Sequence, residues 1–294
     1  KPDESQVPSD WPYRENSLMI RVEKILWHIQ IFENDKKKQR PLFLLIHGSG
    51  GAVHSWRELV KPLSQHANLI LVDLPGHGFT QEDHKTQLTL GEITRSLNQL
   101  LLTMGIKHLD VALGHSAGAA IAIELCIQTK NKVVDKLIGI NPSLVPPPFA
   151  FNFFPNVLIN SVIGSKNFTS FLSLINQNTN MIENLLKSTG SELSHEQKAL
   201  YKRVFSRKNH IRGSIRFMSS TDLSSLLRKT RDFGTKSTFI LGEHDLWVKK
   251  IALQRILKKF FPNSQLIINS GGHLLHETNP EKISNQILEI FREH

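Results

Sequence analysis

Three residue types that together split acyl bonds stand in this chain in a workable order: a serine, then a carboxylate, then a histidine. The serine is Ser116, in Leu113-Gly114-His115-Ser116-Ala117-Gly118-Ala119-Ala120. A strand-like apolar run, residues 109–113, leads into it, and a helix-like run, 117–128, leads away. Gly-x-Ser-x-Gly at such a junction puts a hydroxyl on a sharp turn, and its glycines remove the side chains that would collide between strand and helix. The carboxylate is Asp245, in Glu243-His244-Asp245 after the buried-strand pattern at 237–242. The histidine is His273, in Ser270-Gly271-Gly272-His273 after the pattern at 265–269. In that order Ser116 is the expected nucleophile, His273 the base and then the acid, and Asp245 the group that fixes the imidazole tautomer. Glu243 is the alternative acid and His276 the alternative base. Asp245 lies farther into its loop, however, and His276 falls in the run that enters the last helix.

An acyl-transfer site also needs amide donors for the oxyanion. Ala117, first in its helix, is expected to supply one. The loop His47-Gly48-Ser49-Gly50-Gly51, after the strand pattern at 41–46, is expected to supply the other from Ser49, with Gly50 as the fallback. His47, Gly48, Trp56 and His115 are expected to line the pocket. Phe149, Phe151 and Phe153, from the proline-stiffened run Pro146 to Pro155, complete a largely apolar cleft. His77 is expected to shape a turn. Neither His-Leu-Leu-His-Glu nor Glu-His-Asp has the spacing of a zinc site on a helix, so no metal and no cofactor is expected.

The elements that must position these groups alternate along the chain. Strand patterns fall twice within 21–32, then at 41–47, 68–73, 109–114, 134–140, 237–242 and 265–269. Helical patterns fill 54–66, 89–104, 117–129, 247–260 and 280–293. That alternation predicts a mostly parallel eight-stranded sheet with helices on both faces, its ligand beyond the carboxyl ends of the strands. Ser116, Asp245 and His273 all fall there. Between Asn141 and Lys236 the helical patterns continue without a strand, over a length no simple connection needs. The expected organisation is an N-terminal tail at 1–19, a core at 20–143 and 236–294, and a helical cap inserted at 144–235.

Composition bounds the partners. The 294 residues carry a formal charge of +10 and no nucleic-acid motif. Basic residues are dense in the cap: Lys198, Lys202, Arg203, Arg207, Lys208, Arg212 and Arg216. Leu200, Tyr201, Val204 and Phe205 recur at helical spacing among them, which predicts an outward basic face at the start of that run. Such a face is either simply solvated or meets something acidic: anionic lipid, a partner protein, or the carboxylates of a tetrapyrrole. The single cysteine, Cys126, is expected to be a buried thiol. No stretch reaches the roughly 20 apolar residues of a membrane span, and the first residues lack the apolar core of a signal peptide. A cytoplasmic location is expected, with the inner-membrane surface as an extension; a leader removed before Lys1 stays open.

The chain resembles the α/β-hydrolase superfamily from about residue 20 to its end. Within it, the chain is similar to the magnesium-chelatase accessory hydrolases of bacteriochlorophyll biosynthesis. The likeness rests on Asp10-Trp11-Pro12 with Arg14-Glu15, on Gly48 to Arg57, on Asp73-Leu74-Pro75-Gly76-His77-Gly78-Phe79-Thr80, on Gly114 to Ala120, and on Gly271-Gly272-His273-Leu274. Lys249 departs from it, since relatives often carry proline there. The resemblance implies the α/β-hydrolase fold and a role in a pigment pathway. Two functions follow as expectations. One is a serine hydrolase for an ester, thioester or amide with a bulky apolar body. The other is an accessory or tetrapyrrole-binding protein assisting magnesium chelatase, its triad idle.

Overall fold

The computed structural model describes residues 7–33, 40–83, 85–145 and 179–293. Its strands are β1 (Ser17–Val22), β2 (Ile25–Phe32), β3 (Leu42–Ile46), β4 (Asn68–Val72), β5 (Gln81–Glu82), β6 (Leu109–His115), β7 (Val134–Ile140), β8 (Lys236–Gly242) and β9 (Gln265–Asn269). They form one sheet in the order β1-β2-β4-β3-β6-β7-β8-β9, with β5 paired beside β2. The first two strands pair antiparallel; from β4 through β9 every pairing along the order is parallel. Eight strands were expected and nine are found among the described residues. The ninth, β5, is two residues long, too short to leave a periodic pattern in the sequence.

The helices are α1 (Arg57–Ser64), α2 (Leu90–Thr103), α3 (Ala117–Gln128), α4 (Thr179–Lys187), α5 (His195–Phe205), α6 (Lys208–Ser220), α7 (Leu223–Arg228), α8 (Lys250–Phe260), α9 (Leu275–Thr278) and α10 (Pro280–Arg292). Alternate residues of β3 show why both faces of the sheet need cover. Leu44 and Ile46 join Leu97, Leu100, Ile121 and Leu125 of α2 and α3 in one core layer. Phe43 and Leu45 join Leu59, Leu63, Ile283 and Ile287 of α1 and α10 in the other. A strand apolar on both faces is the mark of a parallel sheet sandwiched between helices. Cys126 lies in the first layer, its thiol pushed up to about 12 by burial.

The expected tail does not hold as one. Val7 and Trp11 are buried in the core, and β1 begins at Ser17. Trp11 is buried, edge-on to Phe79 at 4.9 Å and to His54 at 5.4 Å. A segment anchored by one aromatic side chain shows no periodicity, so its sequence gives no strand or helix signal. Behind it, His28 places Nδ1 2.6 Å from Asp73 Oδ2 and Nε2 3.0 Å from Ser17 Oγ. Ser17 Oγ also accepts from Gln30 Nε2 at 3.2 Å. Asp73 accepts the amides of Val53 at 2.7 Å and Phe79 at 2.8 Å. Burial pushes the Asp73 carboxyl up, but the charge and hydrogen bond of His28 outweigh it and hold it below its ordinary range. This network ties β1, β2 and the loops after β3 and β4 to one carboxylate.

Between β7 and β8, the described residues 179–235 form α4 to α7 and a 3-10 turn, Lys229–Asp232, with no strand. This insertion docks closely on the core. Gly213 of α6 passes so near the loop after β4 that a Cβ there would lie 2.0 Å from Gly76 O. Arg207 donates to Gly78 O at 3.1 Å, with its guanidinium 4.4 Å over the Phe79 ring. Arg203 makes a two-pronged pair with Asp10 at 2.6 and 2.9 Å, and Lys202 pairs with Glu183 at 2.6 Å. Arg216 donates to Thr86 O at 2.8 Å. Several cations of the expected outward face are therefore half-buried and engaged within the chain. No helix among the described residues is long and apolar enough to cross a membrane.

Candidate active site

Ser116 sits between β6 and α3 with φ 52° and ψ −118°, a conformation that a non-glycine residue holds only where its surroundings enforce it. The enforcing contacts are backbone against backbone. A Cβ on Gly118 would lie 2.1 Å from Ile46 O, and one on Gly114 would lie 2.5 Å from Ala119 Cα. Only glycine lets the strand, the turn and the helix cross there.

The structure brings Ser116, His273 and Asp245 together. His273 Nε2 lies 2.9 Å from Ser116 Oγ, and Nδ1 lies 2.8 Å from Asp245 Oδ2. The carboxylate is fully engaged: Oδ1 accepts the amides of Trp247 at 2.7 Å and Val248 at 2.9 Å, and Oδ2 also accepts Asn141 Nδ2 at 2.8 Å. Glu243, by contrast, is exposed. His276 is buried against Trp56 and His115, with ring centroids 4.8 and 4.3 Å away. Burial, with the nearby charge of His273, lowers its pKa to about 3, so it stays neutral. An imidazole held between a hydroxyl and a carboxylate can take the hydroxyl proton as that oxygen attacks.

Two clamped peptides flank Ser116. Gly48 O accepts from His47 Nδ1 at 2.8 Å and from the Gly51 amide at 3.0 Å. The peptide bond is trans, so the Ser49 N–H points opposite to that carbonyl. Ser116 O likewise accepts the amides of Ala119 and Ser143, both at 3.1 Å, which turns the Ala117 N–H the other way, at the N-terminus of α3. Gly48 closes against the serine: a Cβ on it would lie 2.9 Å from Ser116 Cβ.

A cleft of about 1030 Å³, including its open mouth, lies over these groups. Of the residues read as pocket lining, Gly48 and His115 stand along it, and so does Ser49, read as an oxyanion donor. His115 is neutral, its pKa well below the usual range through burial, and its Nε2 donates to His273 O at 2.8 Å. His47 and Trp56 do not line it. His47 turns inward, accepting the Leu74 amide at Nε2 (3.0 Å) while Nδ1 holds Gly48 O. Trp56 is fully buried under His276. Phe149, Phe151 and Phe153 lie outside the described residues. The walls come instead from the insertion, with Ile182, Leu186, Tyr201, Phe205, Ile211, Ile215 and Met218, and from Trp247 and Leu274 of the core. Trp247 covers His273 with its indole, centroids 5.0 Å apart and planes 32° apart, and donates Nε1 to Ser188 Oγ at 3.2 Å.

Sequence reasoning missed Asn141. With φ 45° it turns sharply after β7, donating Nδ2 to Asp245 and to Gly272 O and accepting the Gly242 amide at Oδ1. Its signal was present: an Asn-Pro pair where a strand ends beside the acid's strand. Among the described residues one group could share a metal ion: His108, Asp110 and Asp135. It sits at the opposite end of β6 from Ser116, with Asp110 Oδ2 already accepting the Leu42 amide at 2.7 Å.

Comparison with known proteins agrees with this architecture. The model of the alpha/beta hydrolase fold family matches residues 41–280. A magnesium-chelatase 30 kDa subunit of Rhodobacter capsulatus is 29% identical over 289 residues, spanning 98% of each chain. Mouse epoxide hydrolase 4 is 24% identical over 277 residues, 87% of this chain and 74% of its own. Among solved structures, an enol-lactonase of Burkholderia xenovorans superposes with a TM-score of 0.74 at 15% identity, over 94% of this chain and all of its own. That likeness speaks to the fold.

Proposed function

Because the chain belongs to the alpha/beta hydrolase fold family, we propose that it is a serine hydrolase acting on an ester, thioester or amide with a bulky apolar body. The observation that carries this reading is the unbroken relay Ser116–His273–Asp245 beneath an apolar cleft. Ser116 Oγ attacks the carbonyl carbon as His273 Nε2 takes its proton. The carbonyl π pair moves to oxygen, where the Ser49 and Ala117 amides receive it. Collapse breaks the bond to the leaving group, which departs with the proton from Nε2. Water then attacks the acyl-serine as Nε2 takes one of its protons; collapse breaks the acyl–Oγ bond, Nε2 returns that proton to Oγ, and the acid leaves Ser116 and His273 as they began. Asp245 keeps Nδ1 protonated and stabilises the imidazolium throughout. The choice of an acyl carbon follows from the serine. Attack on an epoxide or alkyl-halide carbon would leave a serine ether that water does not cleave, whereas a carboxylate in that place would leave a hydrolysable ester.

A second reading is an accessory role beside a magnesium chelatase, with a tetrapyrrole as ligand. It is supported by the full-length likeness to the Rhodobacter subunit. A fluorophosphonate probe separates the two. Intact mass should show one adduct on the wild type, located at Ser116, and none on Ser116→Ala. The same substitution should lower ester turnover by about 10⁴-fold or more. A wild type that takes no adduct would leave only the accessory reading.

A further inference from the structure

The chain carries ten more positive than negative charges, yet no lysine, arginine, aspartate or glutamate is among the described residues lining the cleft over Ser116. Its hydroxyls are mostly taken. Tyr201 donates to Glu277 Oε1 at 2.6 Å, Ser214 to His210 O at 2.7 Å, Thr189 to Leu186 O at 2.5 Å and Ser49 to Ser214 O at 3.3 Å. Ser55 is different. It lines the cleft, is 2% exposed, and its Oγ has no partner.

These facts bear on charge before they bear on shape. An anion entering such a cleft sheds its water and meets no cation among the described lining residues, whereas a neutral apolar body loses only unfavourable hydration. The wall itself reports the same environment: Glu277, behind Tyr201, is pushed up to about 8 by burial. A buried hydroxyl without a partner favours a ligand that brings one.

Resting on the hydrolase reading and narrowing its substrate, we propose that the body held beside Ser116 is uncharged and apolar, with one hydrogen-bonding group placed at Ser55. A substrate carrying a free carboxylate on that body is rejected; the same body with its carboxylate esterified is accepted.

Three p-nitrophenyl esters of one length test this: the octanoate, the suberate half-ester with its free carboxylate, and the methyl ester of that half-ester. The half-ester should show kcat/KM at least about 100-fold below the octanoate, and methylation should bring it back to within about tenfold. Ser55→Ala should lower the methyl-capped substrate about tenfold relative to the octanoate. Met218→Lys, placing a cation at the exposed edge of the cleft, should raise turnover of the half-ester. Binding to Ser116→Ala, read by the fluorescence of Trp247, removes the dependence on chemistry: dimethyl suberate should bind and suberate should not. Diester binding with no hydrolysis by the wild type would overturn the hydrolase reading and keep the neutral cleft. Suberate bound as well as the diester, or the half-ester hydrolysed within tenfold of the octanoate, overturns the neutral cleft and leaves the hydrolase.

Discussion

Asn141 shows how much of a catalytic geometry resides in a residue that meets no substrate. Its Nδ2 and the His273 imidazole share one oxygen of Asp245, and its Oδ1 holds the amide of Gly242, on the strand that leads to Asp245. Asn141→Ala should therefore loosen the acid without removing it, lowering kcat/KM by about ten- to a hundredfold with the fold retained. Asn141→Asp is the more telling variant. Two carboxylates within hydrogen-bond distance do not both ionise freely, so one keeps a proton to higher pH. The acidic limb of the pH–rate profile should move upward. A profile identical to wild type would show that Asn141 only shapes the turn.

At the scale of elements, the loop after β3 is positioned by a histidine read from sequence as pocket lining. His47 clamps the Gly48 carbonyl, and through the planar peptide it aims the Ser49 amide. His47→Ala should free that peptide and lower kcat by about 10²-fold, with KM less affected, as the loss of one oxyanion donor does. A raised KM with kcat unchanged would assign His47 to binding. The strands, the turn at Ser116 and the loops holding Asp245 and His273 were legible because each joins a strong periodicity to glycines or a carboxylate at its end. His47 and Trp56 were misread because His-Gly and His-Ser-Trp after a strand fix which loop they occupy, and nothing in the sequence fixes which way a side chain on that loop turns. The walls from α4 to α6 were missed for a related reason. An apolar stripe at helical spacing looks the same whether it packs on a core or faces a cleft, and Tyr201 and Phe205 belong to such a stripe.

The molecule as a whole holds an unusual load of buried neutral imidazole. Burial takes His54, His77 and His276 down to about 3 and lowers His47, His115 and His210 as well. The unfolded chain takes up these protons near pH 6.5, the folded one at lower pH. Their contribution to stability is therefore present above about pH 6.5 and is lost as pH falls toward 3, by about 1.4 kcal/mol per unit for each fully shifted group. Glu277 acts in the opposite sense, its contribution lost as pH rises from about 4.5 to about 8. Urea midpoints should fall steeply from pH 6.5 to 5, with a net uptake of at least about two protons on unfolding at pH 5. A midpoint flat across that range would mean these rings are solvated or already charged. The same molecule also poses a question about what makes a triad. Ser17, His28 and Asp73 repeat the three side chains of the cleft with comparable separations. Yet Ser17 lies in a regular strand, its oxygen accepts from Gln30, and it is not among the residues that line the cleft. A search template made of three side-chain types and two distances would return this protein twice. What separates the two is backbone: one serine stands on a strained turn at the head of a helix, the other is part of the weave.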